Sequence, residues 1–282
     1  MKKQLILLCS IILIANAVSA QKAYKLAKTS GHLSLNLTGA IVEGYSGNEI
    51  IFSLPTAEDA VVDERAKGLR VINGSGFTDN TGLGLDVTVK GEEISVNSVT
   101  KDRSAILTIK VPQNIKVSFN NASTVFQSEV ILKNMKNEID VSTSYNKIKL
   151  ENNTGPMNVK TLYGSVDAVF SSDIKGPVSI VSVYGYVDVS LAGATKANVE
   201  LSTSYGKLYA AEGLKIALEK NSNEKSETNN NGSFNFSNNG SGVTITSNNS
   251  GRSSDSIKGK INGGGADLIL KSSYKNVYLR EK

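Results

Sequence analysis

Apolar and polar residues alternate with a period of two along most of the chain, and the alternation recurs in blocks. The clearest are IDVSTSYNKIKL (Ile139 to Leu150), MNVKTLYGSVDA (Met157 to Ala168), VSIVSVYGYVDV (Val178 to Val189), VELSTSYGKLYA (Val199 to Ala210) and LILKSSYKNVYL (Leu268 to Leu279). Each centres on a tyrosine, Tyr145, Tyr163, Tyr184, Tyr205 and Tyr274, with successive spacings of 18, 21, 21 and 69 residues. Positions six and four before the tyrosine, and three and five after it, are apolar in every block. Such alternation predicts two half-buried strands per block. They meet at Tyr-Gly or Tyr-Asn, where Gly or Asn is expected to permit a bend with φ > 0.

The column two before the tyrosine is hydroxylic throughout: Thr143, Thr161, Ser182, Thr203 and Ser272. Period two points these hydroxyls inward, so each is expected to bond a neighbouring repeat or the turn backbone. A unit of about 20 residues with two strands and a bend cannot bury its apolar face alone; stacking on its neighbours does that. The expected fold is therefore all-β, a single-stranded β-solenoid or stacked β-strand-repeat domain. The rival arrangement is an antiparallel sandwich in which Tyr-Gly forms hairpin turns.

Towards the beginning of the chain the pattern weakens. LDVTVKGEEISV (Leu85 to Val96) fits a repeat with Gly91 at the tyrosine position and Val89 at the hydroxyl position. ILTIKVPQNIKVSF (Ile106 to Phe119) reads as two strands around a proline-containing bend, and residues 31–56 as opening strands that cap the stack. Only Glu58 to Lys67 has helical composition, and it reads as a short turn or helix leading into Gly68. The stretch Glu219 to Ser256 differs: its 38 residues include 10 Asn, 10 Ser and 4 Gly. It buries too little apolar area to offset its conformational entropy and reads as a low-complexity insertion, with Phe234–Phe236 and Val243–Ile245 as candidate short strands.

Residues 1–20 form an expected signal peptide: Lys2-Lys3, the apolar run Leu5 to Ile14, and Val18-Ser19-Ala20 as a cleavage site. The run falls short of the roughly 20 residues a spanning helix needs. Cleavage would remove Cys9, the single cysteine, and leave 29 of the 31 Lys and Arg against 26 Asp and Glu. Residues 21–282 would then be an exported domain without disulfides and without a transmembrane span, periplasmic or extracellular. Its small, evenly spread positive charge gives no argument for nucleic acid.

Composition narrows the chemistry. One His and one Cys leave no zinc site of the His/Cys kind, and His32 reads as a strand residue without a partner. Neither metal nor cofactor is implied. Asp167 and Asp188, each four after a repeat tyrosine, would lie near 5 Å apart on stacked repeats, the separation of a retaining glycosidase pair. The plainer reading is a solvated charged column, with Lys149 and Tyr209 as its next members. Tyr186, Tyr209 and Tyr278 are expected on an outer face near Asp188 and Lys207, where aromatics serve carbohydrate or peptide recognition, or simply cover the sheet. Asp79-Asn80-Thr81-Gly82 reads as a turn, since no full calcium loop surrounds it.

Several stretches together resemble a known family: GLRVINGSGFTDNTGLGL (Gly68 to Leu85), VPQNIKV (Val111 to Val117), SVYGYVDV (Ser182 to Val189), GKINGGG (Gly259 to Gly265) and SSYKNVYLRE (Ser272 to Glu281). They resemble the bacterial "putative adhesin" family, β-strand-repeat proteins of unknown function related to toastrack-type envelope domains. The resemblance covers about residues 25–282. It implies an exported, repetitive all-β domain and carries over no catalytic residue. The reading is a non-catalytic, adhesin-like or envelope interaction module with a glycan or protein ligand and open to self-association. The alternatives are a β-helix enzyme acting on carbohydrate through outward carboxylates, and an envelope structural or stress-sensing domain.

Overall fold

In a computed structural model of the chain, residues 21–55, 64–100, 105–171, 173–219, 234–239, 242–247 and 255–282 are described. The expected signal segment and most of the Asn/Ser-rich insertion lie outside them. Among the described residues the fold is all-β. One ten-stranded and one eleven-stranded sheet lie face to face, and a separate two-stranded ladder pairs Phe234–Asn239 with Gly242–Ser247. No described helix is long and apolar enough to cross a membrane.

Each tyrosine-centred repeat is one rung. Its first strand joins the larger sheet and, after the corner, its second strand joins the smaller one. Ile139–Thr143, Met157–Thr161 and Val178–Ser182 pair in parallel and in register. Ile148–Glu151, Val166–Phe170 and Val187–Leu191 do the same in the opposite sheet. The parallel pairing excludes Tyr-Gly hairpins. Alternate side chains point between the sheets, so Val141, Val159, Ile180, Leu150 and Val189 are fully buried in one continuous core. Alternation in sequence thus becomes columns in space, because in-register parallel stacking places like residue on like.

The rungs do not stack in sequence order. The last strand pair, Ala266–Ser272 and Val277–Glu281, lies between the Val178–Leu191 rung and the rung formed by Ala197–Thr203 and Leu208–Ala210. Leu208 and Ala210 therefore fall on the edge strand of the smaller sheet, where Leu208 is only half-buried and Ala210 exposed. The 69-residue spacing between Tyr205 and Tyr274 reflects a chain that passes beyond the stack and returns to fill a slot within it.

Two further expectations need correction. The segment Leu85 to Val96 is not a rung: Leu85–Lys90 and Glu93–Ser98 form an antiparallel hairpin within the larger sheet. Gly91, with φ 61°, supplies the positive φ that such a tight hairpin loop requires. The opening strands do not cap the stack. Gly31–Asn36 and Ala40–Tyr45 are interior strands, paired in parallel on both sides, whereas Gln21–Leu26 and Leu85–Lys90 form the sheet edges at that end of the stack. The stretch Glu58 to Lys67, expected as a short turn or helix, contains in its described part a 3-10 turn at Glu64–Ala66.

Candidate functional site

The corner where each rung passes between sheets is built from the hydroxyl, tyrosine and glycine columns. Ser182 Oγ accepts the Gly185 N–H at 2.9 Å and donates to the Gly164 carbonyl one rung away at 2.8 Å. Ser272 repeats the arrangement with the Lys275 N–H and the Gly185 carbonyl, and Thr203 with the Gly206 N–H and the Lys275 carbonyl. Thr161 accepts the Gly164 N–H at 3.1 Å. Thr143 begins the ladder. The strand beside it ends at Asn121 rather than in a tyrosine corner, and its buried hydroxyl has no hydrogen-bond partner.

The glycines at these corners are not there for positive φ, since none of Gly164, Gly185 and Gly206 is left-handed. Their reason is proximity. A Cβ at Gly164 would overlap the Asn146 carbonyl, one at Gly185 the Gly164 carbonyl, and one at Gly206 the Lys275 carbonyl. Outside the corner the five repeat tyrosines form one stack in the order Tyr145, Tyr163, Tyr184, Tyr274, Tyr205. Ring centroids lie 4.5 to 4.8 Å apart and planes within 13°. The Tyr184 phenol is pushed above its ordinary value, first by its Tyr274 neighbour and then by burial and Tyr163. The three interior rings, Tyr163, Tyr184 and Tyr274, are stacked on both faces and turn edges and hydroxyls to solvent, so this ladder is suited to bracing the corner.

The outer face of the smaller sheet is different. Tyr209 on the edge strand stacks on Tyr278 at 5.2 Å, and Tyr278 meets Tyr186 edge-on at 6.4 Å. Asn276 donates to the Tyr278 hydroxyl at 2.8 Å, and the Arg280 guanidinium carbon lies 5.3 Å from the Tyr278 ring centre. Tyr209 remains 45% exposed. With Tyr278 against one side of its ring, the edge of the sheet presents the other side outward. Asp167 and Asp188 are in-register neighbours on this face. The next member of their column is Tyr278 and then Tyr209, because the inserted rung intervenes.

Each carboxylate has its own cation. Arg280 binds both oxygens of Asp188, at 2.7 and 2.8 Å. Lys147 lies 3.0 Å from Asp167, which also accepts the Tyr186 hydroxyl at 3.3 Å. Burial raises the Tyr186 phenol, and the neighbouring Asp167 charge adds to this; the same carboxylate raises Lys147. A glycosidase pair must offer one carboxyl to the leaving oxygen and another to the sugar carbon. Here the bidentate Arg280 occupies both Asp188 oxygens, so the geometry is that of balanced ion pairs rather than a catalytic dyad.

His32, expected to stand alone, has two partners. Its Nδ1 lies 3.0 Å from Glu93 and its Nε2 lies 2.7 Å from the Ser118 hydroxyl. A carboxylate only accepts, so Nδ1 carries a proton, and in the neutral ring Ser118 donates to Nε2. The order Ser–His–Glu matches a nucleophilic relay. Yet Ser118 lies inside Ile115–Asn121, a strand paired on both sides, whose N–H groups are committed to the ladder and leave no oxyanion hole. Glu93 is itself 65% exposed. The ring ties three strands together at one end of a shallow groove of about 770 Å³ on the outer face of the larger sheet. The sequence pattern hid these partners because they come from strands 61 and 86 residues away.

Asp79 is fully used within its turn. It accepts N–H bonds from Thr81, Gly82 and Gly84 and the Thr81 hydroxyl, all between 2.8 and 3.0 Å. Burial opposes its ionisation, but these bonds outweigh it and hold the carboxyl below its ordinary range. Among the described residues no group of His, Cys, Asp and Glu is arranged to hold a metal ion.

The architecture defines a β-solenoid-like repeat protein of two-strand rungs with tyrosine corners. The chain belongs to the Toastrack DUF4097 family, whose profile matches residues 86–252, more than half of its length. Two crystal structures are similar to it over most of their length. One is a "putative cell adhesion protein" from Clostridium sporogenes ATCC 15579, 11% identical, TM-score 0.41, matched over 93% of this chain and 99% of the other. The second is a "putative adhesin" from Bacteroides fragilis NCTC 9343, 10% identical, TM-score 0.34, over 93% and 97%. No curated protein matches the sequence.

Proposed function

We propose that the protein is an exported, non-catalytic interaction module of the cell envelope, adhesin-like in action, with the outer face of the smaller sheet as its contact surface. The observation that carries this reading is the aromatic platform of Tyr209, Tyr278 and Tyr186 beside the Asp188–Arg280 and Asp167–Lys147 pairs. An outward ring side stacks on a sugar or peptide plane, and fixed ion pairs at its border supply hydrogen bonds without rearrangement. The lysine- and arginine-paired carboxylates favour binding over bond cleavage. The sequence features of residues 1–20 support export to the periplasm or cell surface. The ligand class is a glycan or an envelope protein.

The test combines a glycan array with a pull-down from envelope extract, using residues 21–282. Tyr209→Ala and Tyr278→Ala should each weaken a retained ligand by about 10-fold or more, as central aromatic anchors do. Retention of nothing in either format, or equal binding by both variants, would overturn the assignment.

A further inference from the structure

The strand pair Ala266–Ser272 and Val277–Glu281, inserted between two other rungs, is held entirely by residues far from it in sequence. Leu268, Leu270, Val277 and Leu279 are at most 1% exposed within the shared core. Tyr274 is sandwiched between Tyr184 at 4.6 Å and Tyr205 at 4.8 Å. Ser272 donates to the Gly185 carbonyl, the Ser273 and Tyr274 N–H groups donate to Ser182 and Val183, and Arg280 grips Asp188. The slot between its two flanking rungs therefore recognises this arm along both strands and the corner.

The covalent link to the slot is short and built for reversal. Asp255–Ile261 runs antiparallel along one side of Ala197–Thr203, and the arm runs parallel along the other. Asn262, Gly263, Gly264 and Gly265 carry the chain around the beginning of that strand. The first three of them have φ of 49°, 86° and 91°. Asn262 Nδ2 donates to the Gly193 and Thr195 carbonyls, both at 2.9 Å, and pins the turn in the closed chain. The three glycines after it leave the backbone free to adopt other φ values once those bonds open, while the slot contacts only the arm's side chains and backbone.

We propose that this arm is exchangeable, and that a second copy of the chain can insert its own arm into the slot while donating the slot of its own fold in return. The partner surface is thus identical in chemistry to the one already filled: a parallel strand pair with apolar residues in register, a tyrosine for the stack and a guanidinium for Asp188. The four-residue link favours the closed single chain when protein is dilute, through the high local concentration it imposes. Exchange is favoured when chains refold together at high concentration, because the slot's two flanking rungs precede the arm in sequence and the slot remains open until the arm docks.

The test uses two variants of residues 21–282, Asp188→Arg and Arg280→Asp, unfolded, mixed and refolded together at about 100 µM, within the range where intermolecular pairing competes. Each closed monomer then faces like charges at 188 and 280. In the reciprocal dimer both contacts become opposite in charge. The arginine placed in the first variant's slot meets the aspartate carried by the second variant's arm, and the unaltered Asp188 of the second meets the unaltered Arg280 of the first. Native mass spectrometry should show heterodimers exceeding the chance proportion several-fold. A parallel refolding of isotopically labelled and unlabelled wild-type chains covers the case in which the variants do not fold. It should give mixed-mass dimers that form on co-refolding but not on mixing folded proteins. Monomers alone from the wild-type mixture, heterodimers at the chance proportion, or wild-type dimers that exchange freely when folded proteins are mixed would each overturn the proposal.

Discussion

The hydroxyl ladder makes a sharp energetic prediction, because two members of one column sit in opposite situations. Ser182 is fully buried, and its hydroxyl satisfies two backbone groups, the Gly185 N–H and the Gly164 carbonyl. Alanine removes both bonds and leaves a buried N–H without an acceptor. A made hydrogen bond contributes about 1 kcal/mol net and an abandoned buried polar group costs about 1–3, so Ser182→Ala should destabilise by roughly 2–4 kcal/mol. Thr143 is 1% exposed and its hydroxyl bonds nothing. Thr143→Val keeps the β-branched shape and discards the orphan, so it should be neutral or stabilising by up to about 1 kcal/mol. Urea denaturation of residues 21–282, followed by far-UV circular dichroism and tyrosine fluorescence, measures both; the chain has no Trp. The midpoints should separate at unchanged m-values. Equal destabilisation of the two variants, or a loss above about 1 kcal/mol for Thr143→Val, would refute the hydrogen-bond account of the corner.

At Gly185 two effects oppose one another: its ordinary φ would let alanine stabilise through the unfolded chain by about 0.4–1 kcal/mol, but the new Cβ overlaps the Gly164 carbonyl. Overpacking of this kind costs about 1–3 kcal/mol, so Gly185→Ala should lower the denaturation midpoint. Asp79 carries the pH prediction. Its folded pKa lies below the unfolded one, so its stabilisation is present above the ordinary value of 3.8 and is lost as pH falls through the folded value. The stability advantage of wild type over Asp79→Asn, measured by denaturation at stepped pH, should therefore shrink on acidification below about 4. Arg280→Gln removes a bidentate pair whose Arg side chain is 55% exposed, so it should cost no more than about 1 kcal/mol and less in high salt.

Much of this architecture is legible in the sequence because parallel, in-register stacking leaves its mark on every repeat. Apolar positions at fixed offsets from five tyrosines specify inward columns, the hydroxyl column marks the corner, and the Asn/Ser-rich stretch stands apart by composition. The same regularity hides the order of the rungs. Each repeat presents nearly the same columns, so Leu268 fits beside Val178 and Val199 alike, and local pattern cannot rank one neighbour over another. The inserted position of the last rung, and hence the placing of Tyr278 beside Asp188 and Arg280 upon it, is a tertiary decision. So is the environment of His32, whose partners come from strands 61 and 86 residues along the chain. The corner glycines divide the two kinds of information most plainly. Their positions are periodic in the sequence, but their reason is the carbonyl of the next rung, an atom made adjacent only by stacking.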